Sequence, residues 1–333
     1  MTSLIACLDV WAPAVREVVR RNAPEGFALE FAQSYEPEHQ MQLAERADVL
    51  LPGWAAVTEP MLARASRLRM IQKWGIGVDR IDVPAVRRRG IPLAITAGSN
   101  AGPVAELAIA LMLAVYRRIP YVNSAMRRGQ WPKAEMRETC FQLADKTVGI
   151  VGFGNIGRML ARRLRGFDVQ VLYFDAQRAG EETEQRLNVR FVPLPQLLAA
   201  SDIVSLHAPY TPQTDNMIDA AALASMKDGA ILVNTARGEL VDEVALHEAL
   251  RSGKLRGAGL DAFRQEPPPA DHPLLSLEQV VVTPHAGGGV FDNVENVARH
   301  AFSNITRVLR GEPLAAADVI VPAPAGHTAT AHA

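Results

Sequence analysis

The sequence has little cysteine, almost no net charge and no long hydrophobic run, and each shortage excludes something. Two cysteines, Cys7 and Cys140, are too few for a disulfide framework or a cysteine-built zinc site. Cys7 lies in an apolar strand pattern and reads as a small buried hydrophobe. The net charge of −1 supplies no basic field to hold nucleic acid or anionic lipid. The longest apolar stretch, Ala101–Tyr116, contains Glu106 and is too short to span a bilayer. Met1-Thr2-Ser3-Leu4-Ile5 has neither the basic segment nor the apolar region of a signal peptide. The expectation is a cytoplasmic protein with no metal, nucleic-acid or membrane partner.

What is present begins with length. A chain of 333 residues with 48% hydrophobic and 21% charged residues can build two domains with proper cores. The organising stretch is 147–175. An apolar run, Thr147-Val148-Gly149-Ile150-Val151, meets Gly152-Phe153-Gly154-Asn155-Ile156-Gly157, then a helix-spaced segment, then a second apolar run ending in Asp175. This is a βαβ unit with a glycine-rich first turn. Gly152 permits the turn, Gly154 lets a pyrophosphate approach the backbone, and Gly157 lets helix and strand pack closely. The helix N-terminus offers N–H groups and a positive dipole end to the phosphates. A carboxylate at the end of the second strand accepts hydrogen bonds from the ribose 2′-OH of NAD and repels the 2′-phosphate of NADP. Asp175 therefore favours NAD, although Arg178 nearby would partly offset the repulsion.

Strand and helix patterns alternate on both sides of this unit. Strands are expected at 4–8, 28–31, 48–53, 69–73 and 91–95, with helices between them. A long helix at 103–118 is apolar around nearly its whole circumference, so it belongs in a core or a subunit interface. From the glycine turn onward, strands are expected at 189–192, 202–207, 230–234, 257–260 and 279–283. A final helix at 293–309 has no strand partner and is expected to return to the first domain. The reading is an α/β protein of two doubly wound parallel-sheet domains. A Rossmann domain, 100–286, is inserted into a substrate domain made of 1–99 and 287–314. The Ala-, Pro- and Thr-rich tail, 315–333, reads as disordered.

In open parallel sheets ligands bind beyond the carboxyl ends of the strands. Arg237, Asp261, Glu266 and His285 fall at or just past such ends. Singly, Arg237 reads as a surface arginine, Glu266 as a loop acid and His285 as a satisfied core histidine. Together they suit hydride transfer at a carbon bearing oxygen and carboxylate. A histidine serves as acid/base near neutral pH, a carboxylate favours its charged form, and a guanidinium grips a carboxylate through two hydrogen bonds.

The motifs Gly75-Ile76-Gly77-Val78-Asp79, Val104-Ala105-Glu106, 152–157, His207-Ala208-Pro209, Asn234-Thr235-Ala236-Arg237-Gly238, Leu260-Asp261-Ala262-Phe263, Glu266-Pro267 and Pro284-His285 resemble those of the D-isomer-specific 2-hydroxyacid dehydrogenases. That resemblance implies a flavodoxin-like substrate domain and a homodimer through the Rossmann domain. It also implies a catalytic set of Arg237, Glu266 and His285, and carboxylate binding by Gly75, Ile76 and Gly77 with Arg237. The implied cofactor residues are Val104, Gly152, Gly154, Asn155, Ile156, Gly157, Asp175, His207, Pro209, Thr214, Thr235, Ala236, Asp261, His285 and Gly287, with Asp261 meeting the nicotinamide carboxamide. The substrate would be a small 2-keto or D-2-hydroxy acid. Formate dehydrogenases of this group carry Gln where Glu266 stands, so that branch fits poorly. Lys73 either meets a substrate phosphate or is a solvated strand-end lysine. A dinucleotide-sensing regulator on the same scaffold is the rival from another class.

Overall fold

A computed structural model describes residues 2–324. The chain forms two compact units: one comprises residues up to Asn100 together with those from Gly289 onward, and the other runs from Ala101 to Gly288.

The first unit begins β1 (Ser3–Cys7), α1 (Pro13–Asn22), β2 (Phe27–Phe31), α2 (Pro37–Arg46), β3 (Val49–Leu51), α3 (Glu59–Arg64), β4 (Met70–Gln72), α4 (Val83–Arg88) and β5 (Leu93–Ala94). Proline occupies the first helical turn of α1 to α4, where no N–H is needed and φ is already helical. The second unit holds α5 (Ala101–Tyr116), α6 (Ile119–Arg127), α7 (Lys133–Thr139), β6 (Thr147–Val151), α8 (Asn155–Leu164), β7 (Gln170–Phe174), α9 (Glu181–Leu187), β8 (Val189–Phe191), α10 (Leu194–Ala200), β9 (Ile203–Leu206), α11 (Ala220–Ser225), β10 (Ala230–Asn234), α12 (Glu243–Arg251), β11 (Leu255–Leu260) and β12 (Val280–Val282). The chain then returns to the first unit with α13 (Val294–Leu309) and β13 (Val319–Val321).

The second unit's sheet is parallel throughout, in the order β12-β11-β10-β9-β6-β7-β8. The order reverses between β6 and β9, which opens a crevice beyond their carboxyl ends. Side chains alternate across the sheet with period two. On β6, Val148 and Ile150 enter the core built with α5 and α8, while Val151 enters the opposite core with Leu197, Leu223 and Leu246. A strand covered on both faces has to be apolar at successive positions, which is why this run reads as continuous hydrophobicity.

The first unit's sheet runs β13-β5-β4-β3-β1-β2, flavodoxin-like in β1 to β5. One face is covered by α13, whose Ala298, Ala301, Phe302 and Ile305 pack on Ile5, Val49, Leu51 and Met70.

The tail expected to be disordered from Ala315 is ordered at its start. β13 pairs antiparallel with β5 and closes that edge of the sheet. Buried Asp318 accepts hydrogen bonds from the Ala97 N–H (2.9 Å) and pairs with His300 Nε2 (2.8 Å), which pins the strand against propensity. The part of that expectation covering 325–333 lies outside the described residues. Two short helices, α7 and α11, were not expected. The long apolar helix also differs from its expectation. It ends at Tyr116 because Arg118 takes a left-handed φ of 49°, and Glu106 and Ala110 are exposed, so one stripe of it is uncovered within this chain.

Candidate active site

The glycine turn follows β6 directly. Gly152 has φ +93°, and a Cβ there would stand 2.4 Å from the Ala208 nitrogen, so only glycine lets the turn pass the end of β9. α8 starts at Asn155 with Gly154 as N-cap and no side-chain cap. Its first-turn N–H groups therefore lack an internal partner, and a Cβ built on Gly154 meets nothing within 4 Å. This open cradle at a positive helix end fits a pyrophosphate. Asp175 accepts hydrogen bonds from the Phe153 N–H (2.6 Å) and the Gln177 N–H (3.0 Å), which fixes its carboxylate beside the turn at the end of β7. Arg178 donates to both oxygens of Glu184, at 2.9 and 2.8 Å. The hydrogen bond from Arg178, and then that from Tyr173, hold the Glu184 carboxyl down at about 2. Arg178 is thus committed to Glu184.

The loop after β9 carries His207, Pro209 and Thr214. Thr214 Oγ1 donates to the Pro209 carbonyl (2.9 Å) and accepts from the Thr211 N–H (2.8 Å), which closes the loop on itself. The His207 ring lies between Ser205 Oγ (2.9 Å from Nε2) and Thr235 Oγ1 (3.5 Å from Nδ1). Burial pushes its pKa down to about 3, so this imidazole is neutral at physiological pH.

His285 sits just past β12, and Glu266 lies on the loop after β11. The imidazole Nδ1 faces both Glu266 oxygens, at 3.0 and 2.9 Å. Glu266 Oε1 also accepts the Phe263 N–H at 3.0 Å. Burial by itself raises the Glu266 pKa, but hydrogen bonds from His285 and Phe263 and the charges of His285 and Arg237 outweigh it, leaving a net lowering. Glu266 is therefore ionised at neutral pH, and Nε2 is the ring nitrogen turned away from it.

His285 itself has φ +51°, an uncommon backbone state for a residue with a side chain. Asp261 holds it there. The Asp261 carbonyl accepts the His285 N–H (2.9 Å). Its carboxylate accepts from Thr283 Oγ1 (2.6 Å), the Ala286 N–H (2.8 Å) and the Gly287 N–H (2.9 Å). A Cβ on Gly287 would come within 3.4 Å of Val104 on α5, so Val104 packs beneath this turn.

Arg237 follows β10. Its turn is shaped by buried Asn234, whose Nδ2 donates to the Arg237 carbonyl (2.7 Å) and whose Oδ1 accepts the Ala236 N–H (3.0 Å). Arg237 Nη1 donates to the Ala236 carbonyl at 2.7 Å. A Cβ on Gly238 would stand 1.9 Å from the Phe263 carbonyl carbon, so the Arg237 turn and the Glu266 loop touch through backbone. Asn234 was quoted in a motif without a role. A buried amide closing an apolar strand was the signal for it.

Gly75, Ile76 and Gly77 belong to the first unit and are half-buried there. Gly75, at φ +106°, donates its N–H to Thr96 Oγ1 (3.1 Å) and accepts the Thr96 N–H (3.0 Å). Lys73 Nζ donates to the carbonyls of Gly53 (2.6 Å) and Trp74 (2.7 Å), which ties two loops together. The Gly53 loop is also held by buried Asp9, which accepts the N–H groups of Gly53, Trp54 and Ala55 and which the sequence had not singled out. Among the described residues, no group of His, Cys, Asp or Glu is arranged to hold a metal ion, and no helix is long and apolar enough to cross a membrane.

Residues 109–287 match the family model for the D-isomer specific 2-hydroxyacid dehydrogenase, NAD binding domain. The chain is 39% identical over 297 residues to a glyoxylate reductase of Korarchaeum cryptofilum, covering 86% of this chain and 88% of that one. It is 38% identical over 281 residues to a hydroxypyruvate reductase of Thermotoga maritima, covering 84% and 90%. The solved NAD complex of a formate dehydrogenase from Staphylococcus aureus superimposes with a TM-score of 0.84 at 27% identity, over 96% of this chain and 99% of that one. A glycine cradle with an acid at the end of the next strand, matched within a family domain and joined to relatives along most of both chains, establishes that this chain belongs to the D-isomer-specific 2-hydroxyacid dehydrogenases, NAD-dependent oxidoreductases.

Proposed function

We propose that the protein interconverts a 2-keto acid and a D-2-hydroxy acid, with His285 as acid/base, Glu266 supporting it and Arg237 binding the substrate carboxylate. The observation that carries this reading is the pairing of His285 Nδ1 with both oxygens of Glu266, in the unit that also holds the glycine cradle. When bound at Gly152, Gly154, Asn155, Ile156, Gly157 and Asp175, NAD(H) supplies or accepts the hydride. His285 then moves the proton at the C2 oxygen through Nε2, because Nδ1 is engaged by Glu266. Arg237 offers a planar guanidinium to the carboxylate. His207, being neutral, is suited to cofactor contact and not to proton transfer. A glutamate at 266 argues against formate as substrate. The matched relatives make glyoxylate and hydroxypyruvate the first substrates to assay, beside pyruvate, phenylpyruvate and 3-phosphoglycerate. Absence of turnover across this panel would favour the sensing role instead.

We also propose a homodimer through the second unit. Ile119, Met126 and Trp131 are 53%, 44% and 73% exposed and follow α5 in the chain. Sedimentation equilibrium should return twice the 36.1 kDa chain mass, and a monomer at micromolar concentration would overturn this. Cys7 and Cys140 are both free thiols, which suits the reducing cytoplasm. Fractionation that finds the protein outside the cytoplasm would refute that location.

Arg237→Ala should keep NADH binding and lose keto-acid reduction. Removing one partner of a charge-assisted pair costs about 2–5 kcal/mol, roughly thirtyfold or more in kcat/KM. A fall below threefold would remove Arg237 from the site. Asp175→Ala should lower the ratio of kcat/KM for NADH over NADPH, since the 2′-OH acceptor and the repulsion of a phosphate disappear together. An unchanged ratio would show that Asp175 is no ribose ligand.

The pH dependence has a definite sign. Reduction needs protonated His285, so kcat/KM should fall as pH rises. The Glu266 carboxylate lies 2.9 Å from His285 Nδ1, where its negative charge attracts positive charge on the ring. In Glu266→Gln the alkaline limb of reduction should therefore move to lower pH, and the onset of hydroxy-acid oxidation should move with it. Kinetics across pH for both proteins reads this, and a limb that stays or rises would leave Glu266 a structural loop acid.

A further inference from the structure

Glu266 stands on a loop running from the end of β11 to the turn before β12, a segment with three consecutive prolines and no regular structure at its centre. A carboxylate that must meet an imidazole with both oxygens cannot ride on a loop free to move, so something has to fix its ends. Both ends lead to one residue. Glu243, the first residue of α12, accepts the Arg264 N–H through Oε1 at 2.9 Å. Its other oxygen, Oε2, lies 3.2 Å from the Nε2 of His272. Arg264 and His272 bracket Glu266 on either side, and a single carboxylate spans them.

The staple is itself held firmly. Asp242 caps α12 by accepting the N–H groups of Val244 and Ala245, which fixes the turn from which Glu243 projects. The acid also suits the positive end of that helix. The side chains of Glu243 and His272 are 18% and 14% exposed, so the pair is largely shielded from water. The His272 ring packs edge-on against Phe263, 5.6 Å between centroids, and Phe263 is the residue whose N–H binds Glu266. Arg264 is drawn outward by Asp215 Oδ1 (3.0 Å) and Asn216 Oδ1 (2.7 Å). The charged groups acting on Glu266 itself are His285 and Arg237.

We propose that Glu243 and His272 are positioning residues for the reaction, clamping both ends of the Glu266 loop so that Glu266 meets His285 with both oxygens. This rests on the reading that Glu266 supports His285 as acid. The clamp acts on geometry and not on cofactor binding, because Glu243 belongs to α12 and His272 to the β11–β12 loop, and neither is part of the glycine cradle between β6 and α8. A small misplacement of a catalytic group lowers rate steeply.

The test uses the full-length protein with NADH and hydroxypyruvate, glyoxylate being the alternative probe. Glu243→Ala and His272→Leu should each lower kcat about tenfold or more, with KM for NADH within about twofold of the parent, since the cradle is untouched. Both should move the alkaline limb of reduction to lower pH, the direction set by Glu266→Gln. His272→Gln should recover most of the loss, because its amide nitrogen replaces the ring Nε2 as donor to Glu243. A limb unmoved in Glu243→Ala while Glu266→Gln shifts it would overturn the clamp and leave the acid/base assignment standing. A limb unmoved in Glu266→Gln overturns both. If Glu243→Ala no longer binds NADH, the comparison of His272→Gln with His272→Leu decides, and equal impairment in the two refutes the clamp.

Discussion

The carboxylate of Asp261 is the constraint on which the His285 turn of the second unit depends. It is almost wholly buried, and a buried carboxylate is tolerated only when its oxygens are satisfied. Here the satisfaction comes from one turn: the Thr283 hydroxyl and the Ala286 and Gly287 N–H groups, with the Asp261 carbonyl taking the N–H of His285. The turn is thereby forced into a shape in which His285 adopts a left-handed backbone, a state worth about 1–3 kcal/mol of strain that neighbouring contacts must overcome. That strain aims the imidazole. Everything the histidine does afterwards, including its meeting with Glu266, presumes this anchored turn.

The same economy of buried polar groups recurs around the site. Asn234 bends the chain after β10 so that Arg237 leaves the sheet at a fixed angle. Ser205 and Thr235 bracket His207, and burial keeps it uncharged. Two histidines in one unit thus acquire opposite chemical characters from their surroundings. One is enclosed among hydroxyls and stays neutral, and the other is paired through Nδ1 with an ionised carboxylate.

How much of this was legible in the sequence follows from which forces leave a local trace. The strand–helix alternation was readable because strands buried on both faces must be apolar, and the cofactor turn because glycine is required where no Cβ fits. The helix α7 escaped because it buries none of its residues and so shows no apolar face, and α11 because an alanine-rich single turn marks no face either. Strand β13 was hidden in a composition typical of disorder. Its order comes from Asp318, whose partners Ala97 and His300 are far away in sequence. Asp9, Glu243 and His272 were silent for the same reason: their worth lies in partners that only the folded chain brings near.

The split organisation of the first unit bears on how the chain is made. Its sheet is only partly covered on one face, by α1, until α13 arrives, and β5 lacks its outer neighbour until β13 arrives, yet both α13 and β13 lie beyond the entire second unit in sequence. During synthesis the amino-terminal strands emerge first, with Ile5, Val49, Leu51 and Met70 open to water on the face that α13 will occupy. The second unit can close on itself as soon as Gly288 is out. The first unit is begun before the second and completed after it, so during elongation the nucleotide-binding half can be whole while the other half still waits for α13 and β13.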